Sequence, residues 1–118
     1  EVQLETQFMD DAEFAVVAYG ATSRVVKSAV AKAREKGIKV GLIRPITLWP
    51  FPMKEIGEAA KKVKAMLTVE MSMGQMVEDV RLAANGACPV GFYGRTGGIV
   101  PTPAEVLAEI EKMAGGAR

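Results

Sequence analysis

Apolar and polar residues follow two different periods along the chain, and the change of period distinguishes strands from helices. Four nearly continuous apolar runs contain β-branched or aromatic residues, which is typical of strands that are covered on both faces. These runs are Phe14–Tyr19, Ile38–Ile43, Met66–Glu70 and Pro89–Tyr93. Four stretches with apolar residues at helical spacing alternate with them. Strands that alternate with helices predict a parallel sheet joined by crossover helices.

The helical stretches begin at residues that commonly cap helices. The first follows Gly20, and Thr22 or Ser23 is its predicted cap. The other three are predicted over about residues 52–63, 74–84 and 102–113. The last of these opens with Thr102 and Glu105 at the spacing of a capping box.

The N-terminal stretch has the shorter period of a half-exposed strand. Polar neighbours there separate Val2, Leu4, Thr6 and Phe8. The link over residues 9–13 is too short for a crossover helix, so this edge strand is predicted to run antiparallel to the next strand. The sequence therefore predicts a three-layer α/β/α, Rossmann-like domain with a five-stranded mixed sheet. We expect one domain over residues 1–114 and a flexible tail over 115–118.

Composition narrows the classes of function. The chain has 118 residues, 49% hydrophobic and 25% charged, with a formal net charge of +1. No strong field attracts nucleic acid or a membrane surface, and no apolar run is long enough to span a bilayer. We find no signal-peptide pattern and expect a cytoplasmic protein. A single cysteine, Cys88, excludes an internal disulfide and a cysteine-held iron–sulfur cluster within this chain, which also lacks histidine.

The loops after the parallel strands are predicted to meet at the carboxyl edge of the sheet. One of them places Thr22, Ser23 and Arg24 at a helix N-terminus, where backbone amides and the helix dipole favour an anion. Arg44 begins the loop that follows a second predicted strand at the same edge. These four residues are candidate anion contacts, although simple capping is the favoured explanation for the two hydroxyls, because hydroxyl caps are the norm.

The loop that begins at Arg44 and the loop after the next predicted strand carry candidate interface residues: Trp49, Phe51, Met71, Met73 and Gln75. Three prolines stiffen the first loop, and its aromatic residues need cover from the domain itself or from a partner. The methionines of the second loop fill gaps or form an adaptable docking surface. Glu70 has no histidine or second carboxylate beside it in the sequence, so we predict no catalytic residue and no metal ligand.

Five blocks of sequence together resemble the alpha chains of 2-oxoacid:ferredoxin oxidoreductases. In chain order they are Ala18–Arg24, Gly37–Pro45, Leu48–Pro52, Glu70–Met76, and Gly97-Gly98 with Pro101-Thr102-Pro103. The resemblance covers about residues 13–113. One departure is Ser72, where the family usually has asparagine.

The resemblance implies a fold and a place in a larger enzyme. The fold is that of the transketolase C-terminal domain, whose five-stranded sheet has one antiparallel strand. The family converts a 2-oxoacid to an acyl-CoA and CO2 and reduces ferredoxin, using thiamine diphosphate, magnesium, 4Fe-4S clusters and coenzyme A. The domain alone is expected to bind no cofactor and to be non-catalytic. It would serve assembly with the remaining alpha-chain domain and the beta subunit, with gamma and delta subunits in some members. It would also contact coenzyme A phosphates through Arg24, Arg44 or Arg95.

Two alternatives stay open. One is the C-terminal domain of a transketolase or of a 2-oxoacid dehydrogenase beta chain, over which Leu48–Pro52 and Glu70–Gln75 favour the ferredoxin-linked family. The other is a free-standing anion-binding module. A phosphocysteine carrier would need its cysteine after the first parallel strand, and Cys88 lies elsewhere.

Overall fold

The apolar runs form strands and the helical stretches form helices in the order that the sequence predicts. The computed structural model describes residues 4–46, 51–71, 75–94 and 99–116, with the backbone alone at 75 and 116. Its strands are β1 (Leu4–Gln7), β2 (Phe14–Ala18), β3 (Val40–Pro45), β4 (Ala65–Glu70) and β5 (Val90–Gly94). Its helices are α1 (Ala21–Glu35), α2 (Met53–Ala60), α3 (Gln75–Ala84) and α4 (Pro103–Gly116).

The strands form one mixed sheet in the order β1-β3-β2-β4-β5. The central strand β2 pairs in parallel with both β3 and β4, and β5 pairs in parallel with β4. β1 pairs antiparallel with β3, with Leu4 opposite Pro45. Because β3 and β4 already occupy both sides of β2, β1 joins the sheet at the outer side of β3. The predicted α/β fold, with a five-stranded mixed sheet and an antiparallel N-terminal edge strand, is confirmed.

Two hydrophobic cores lie on opposite faces of the sheet. All five residues of β2 are buried, and successive side chains point to opposite faces. Phe14, Val16 and Ala18 pack with α1 and α4, whereas Ala15 and Val17 pack with α2 and α3. Each buried methylene contributes about 0.8 kcal/mol, so burial on both faces is a main source of stability.

The start of α1 differs from the prediction. Its N-cap is Gly20, with φ 65° and ψ −137°, and no side chain caps the first turn. Thr22 Oγ1 donates to Tyr19 O at 2.7 Å, and Ser23 Oγ donates to Gly20 O at 2.6 Å. The prediction that Thr22 or Ser23 is the cap is therefore wrong. A glycine with positive φ makes the turn, and both hydroxyls lie inside the helix and bind carbonyls three residues earlier.

The start of α4 follows the prediction. Thr102 N donates to Glu105 Oε1 at 2.8 Å, and Glu105 N donates to Thr102 Oγ1 at 3.2 Å, which completes the capping box. The helix continues to Gly116 and so includes the first two residues of the stretch predicted as a tail. None of the helices described is long and apolar enough to cross a membrane.

Arg34, near the end of α1, ties this helix to the connection between β1 and β2. Its Nε donates to Val40 O at 2.9 Å, and its two terminal nitrogens donate to the carboxylate of Asp11 at 3.1 and 2.8 Å. Nη2 also donates to Phe8 O at 2.6 Å, and the guanidinium lies 5.1 Å from the centroid of the Phe8 ring. Phe8 has a positive φ of 59°, so these contacts hold a residue in a conformation that bulky side chains rarely adopt.

The ion pair between Arg34 and Asp11 should make the stability of the folded protein depend on pH in the acid range. Hydrogen bonding to Arg34 holds the pKa of the Asp11 carboxyl below its ordinary value of 3.8. The contribution of the ion pair to the free energy of unfolding is therefore complete above pH 3.8, and it is lost as the pH falls through the lower pKa that Asp11 has in the folded state. Asp11→Asn should lower the free energy of unfolding at neutral pH, and this difference should shrink under strong acid. Urea unfolding across this range measures it, with the exposed neighbour Asp10→Asn as control. A difference that persists in strong acid would contradict the assignment.

Candidate functional site

The first turn of α1 lies at the carboxyl edge of the sheet, directly after β2. Thr22 and Ser23 are 3% and 4% exposed, and their hydroxyl hydrogens are already donated to backbone carbonyls. They are therefore not available as hydroxyl donors to a ligand. Ser23 N already donates to Gly20 O at 3.0 Å. The backbone amides of Ala21 and Thr22 therefore keep the capacity to bind an anion at this turn.

Arg24 and Arg44 lie at this edge on the α1 side of the sheet, whereas Arg95, the third arginine expected to contact coenzyme A, lies outside the described residues. Arg24 is exposed on the first turn of α1, and it forms no ion pair within the described parts of the chain. Val40 and Leu42 belong to the core beneath α1, and Arg44 shares their face of β3 because alternate residues of a strand do so. Arg44 Nη1 lies 2.9 Å from Glu5 Oε1, and 36% of the arginine side chain is exposed. Arg44 is thus held by β1 yet remains accessible.

Glu70 joins the end of β4 to the start of α3. The residue is 6% exposed. Its Oε1 accepts from Met76 N at 2.8 Å and its Oε2 accepts from Val77 N at 2.9 Å. A carboxylate at this position satisfies the first amides of the helix and interacts favourably with its dipole. Both oxygens are engaged by backbone amides, so the geometry gives Glu70 a structural role that joins the end of β4 to the first turn of α3.

The five candidate interface residues are only partly described. Trp49 and Met73 lie outside the described residues, as does the side chain of Gln75. Phe51 is half-buried and packs against the core under α2 and α3, so the domain itself supplies part of its cover. Met71 is half-buried directly after β4. Contact of these residues with a partner stays a prediction.

Cys88 lies between α3 and β5 and packs against the core on the α2 and α3 face. Burial raises the pKa of its thiol, which favours the protonated form at neutral pH. A thiol in this state is a poor nucleophile and a poor metal ligand. Within the described ranges, no three His, Cys, Asp or Glu residues are grouped so that they could hold a metal ion.

A family model identifies the domain. The model for the pyruvate:ferredoxin oxidoreductase core domain II matches residues 12–106, from just before β2 into α4. The chain belongs to this family. The resemblance inferred from the five sequence blocks is thereby confirmed.

Several relatives of this core domain II are subunits of oxidoreductases. Our chain is 48% identical over 115 residues to the ketoisovalerate oxidoreductase subunit VorB of Methanothermobacter marburgensis, and the alignment covers 98% of our chain and 32% of VorB. Our chain is 41% identical over 112 residues to the 2-oxoglutarate synthase subunit KorA of the same organism, and the alignment covers 95% of our chain and 30% of KorA. The chain spans about a third of the length of these relatives.

The fold of core domain II recurs in two solved structures. One is the 2-oxoglutarate:ferredoxin oxidoreductase from Magnetococcus marinus with 2-oxoglutarate, coenzyme A and succinyl-CoA bound. Its matching chain superposes with a TM-score of 0.83 at 23% sequence identity, and the match covers 95% of our chain and 20% of the oxidoreductase chain. The other is a split-gene transketolase, an inactive beta4 tetramer, with a TM-score of 0.78 at 18% sequence identity. This match covers 97% of our chain and 42% of the transketolase chain. At these identities the likeness concerns the fold, and it confirms the predicted transketolase-like architecture.

The role of Glu70 in core domain II can be tested by removing its charge. Glu70→Gln should lower the free energy of unfolding by about 1–3 kcal/mol, because a glutamine NH2 would face a backbone N–H that now has no acceptor. Glu78→Gln makes the same charge change at an exposed position in the first turn of α3 and should cost about 0.5 kcal/mol. Urea unfolding compares the two variants. Equal losses would show that the buried hydrogen bonds do not matter.

Proposed function

We propose that this chain is the C-terminal domain of the alpha chain of a 2-oxoacid:ferredoxin oxidoreductase and that it serves mainly in assembly. The family match over residues 12–106 carries this proposal. The 48% identity to a ketoisovalerate oxidoreductase subunit supports it. The whole enzyme would oxidatively decarboxylate a 2-oxoacid, transfer the acyl group to coenzyme A and pass electrons to ferredoxin.

The cofactors of such an enzyme belong mainly to other domains. A 4Fe-4S cluster usually takes four cysteine thiolates, and this chain has one cysteine. The described residues likewise contain no acidic cluster for a magnesium ion that would accompany thiamine diphosphate. Coenzyme A fits better, because its phosphates match the amides of the first turn of α1 together with Arg24 and Arg44.

The carboxyl edge of the sheet is the proposed assembly surface. Phe51 and Met71 lie on loops at this edge, next to the stretches that contain Trp49 and Met73. The proposed partners are the remaining alpha-chain domain and the beta subunit, with gamma or delta subunits where the enzyme has them, and ferredoxin for the complete assembly. Aromatic and methionine side chains are enriched at such interfaces, which supports the choice of this edge.

Affinity capture tests the assembly role. The tagged chain should recover a thiamine-binding polypeptide and an iron–sulfur polypeptide from an extract of its source cells. Trp49→Ala should weaken capture by about tenfold, which is the effect of losing an interface residue worth about 1.4 kcal/mol.

Leu82→Ala is the matched control for this experiment. Leu82 is 67% exposed near the end of α3, far from the carboxyl edge, so its loss should leave capture unchanged. Equal capture by wild type and both variants would remove Trp49 from the interface. Recovery of neither polypeptide would contradict the assembly role and favour a free-standing anion-binding module.

Coenzyme A binding is a separate prediction. Coenzyme A should raise the melting temperature of the protein, since a ligand that binds the folded state stabilises it. Arg24→Ala should raise the Kd by about tenfold through loss of a charge-assisted hydrogen bond. Lys27→Ala, an exposed cation one turn further along α1, should have little effect. A melting temperature that does not respond to coenzyme A would count against this contact.

A further inference from the structure

The turn at the end of α3 contains the only asparagine of the chain, and a glycine follows it. Asn85 and Gly86 are both exposed and come directly after Ala84, the last residue of α3. Both have a positive φ, 49° and 79°, in the left-handed conformation that commonly ends a helix. Asparagine and glycine adopt this conformation more readily than other residues, so helix termination alone explains the two residue types. The chemical reactivity of the pair is a separate property.

The two amide groups that could react with each other are not held by hydrogen bonds. Asn85 N donates to Arg81 O at 3.0 Å, and Ala87 N donates to Ala84 O at 2.9 Å, so the turn is fixed on either side of Gly86. Within the parts of the chain that the structure describes, Gly86 N and the side-chain amide of Asn85 form no hydrogen bond. Since both residues are exposed, water reaches both groups.

The space around the Gly86 amide is open. A Cβ atom built at Gly86 would have no heavy atom within 4 Å beyond the neighbouring residues of the chain. A shallow depression lies beside the turn, and Glu78, Arg81 and Leu82 line it together with the two turn residues. Because glycine has no side chain, the side chain of Asn85 can fold back onto the next backbone nitrogen without a steric clash.

We propose that Asn85 is a site of spontaneous deamidation, in which the backbone nitrogen of Gly86 closes a succinimide ring on the Asn85 side chain. Solvent hydroxide takes the proton of the Gly86 amide, and the nitrogen forms a bond to Cγ of Asn85. The bond from Cγ to Nδ2 breaks, and ammonia leaves with a proton from water, which regenerates hydroxide. Water then opens the ring. Cleavage at Cγ gives aspartate, and cleavage at the backbone carbonyl carbon gives isoaspartate.

The position of the turn keeps it away from the proposed assembly surface. α3 begins at the carboxyl edge after β4 and ends at the opposite edge before β5. Asn85 therefore lies at the end of the domain that faces away from the proposed partners. The reaction consumes only water, so the inference does not depend on the proposed function.

Deamidation would place a charge where the fold does not favour it. The new carboxylate would lie at the C-terminal end of α3, where the helix dipole disfavours a negative charge. It would also cancel the formal net charge of +1 that the chain carries. Isoaspartate in addition carries the main chain through the former side chain and so lengthens the turn. Both products should therefore weaken the end of α3.

Incubation of the folded protein tests the inference. The chain is purified in the assembly that it forms in its cells and is kept in neutral and alkaline buffer beside a synthetic peptide of residues 81–91. Peptide mass spectrometry measures loss of the Asn85 amide, and a protein isoaspartyl methyltransferase detects isoaspartate. The rate should rise with hydroxide concentration and stay above about a hundredth of the peptide rate, because reaction through global unfolding alone would be at least about a thousandfold slower than in the peptide. A slower rate would overturn the inference.

Two variants test the route through the succinimide. Asn85→Gln keeps a neutral amide but needs a larger ring, so loss of the amide at this position should be at least about tenfold slower. Gly86→Ala places a Cβ atom beside the attacking nitrogen and should slow the reaction by about tenfold. Because alanine strains a turn with positive φ, the same change is also made in the peptide, where no folded turn exists. Wild-type rates in both variants would show that Gly86 does not close the ring.

Discussion

Burial of both faces of the sheet is the constraint on which the rest of the structure depends. β2 is paired on both sides and all its residues are buried, so it cannot form unless helices cover the two faces. Crossover helices meet this need and leave the four parallel strands pointing the same way. Polar chemistry is thereby confined to the ends of the strands. The carboxyl edge collects Arg24, Arg44 and Glu70, together with the loops proposed to contact other parts of the enzyme.

The starts of the helices are satisfied in different ways, and the difference bears on function. Glu70 accepts from two amides of α3, and Thr102 accepts from an amide of α4. α1 has no side-chain cap, because Gly20 makes the turn and the nearby hydroxyls bind carbonyls instead. The amides of Ala21 and Thr22 therefore suit an external anion better than the first amides of α3 or α4. This contrast supports α1 with Arg24 as the place where coenzyme A phosphates would bind.

The parts of the fold that depend on local pattern were predictable from the sequence. Continuous apolar runs marked the buried strands, and Thr102 with Glu105 marked the start of α4, because both signals lie within a few residues. The cap of α1 was not predictable in this way, since Thr22 and Ser23 suit either position and the φ of Gly20 decides between them. The bonds of Arg34 to Asp11 join residues 23 positions apart, so no local pattern reveals them. Family membership came from five separated blocks, and the family model confirmed it.

The activity of the complex isolated through this chain is the most direct measurement of its proposed place in a 2-oxoacid:ferredoxin oxidoreductase. Ketoisovalerate, 2-oxoglutarate and pyruvate would each be supplied with coenzyme A and oxidised ferredoxin. The expected result is reduction of ferredoxin with at least one of these acids, dependent on coenzyme A and accompanied by the matching acyl-CoA and CO2. The proposed function would be contradicted if the chain were recovered without this activity while other fractions of the same cells contained the activity.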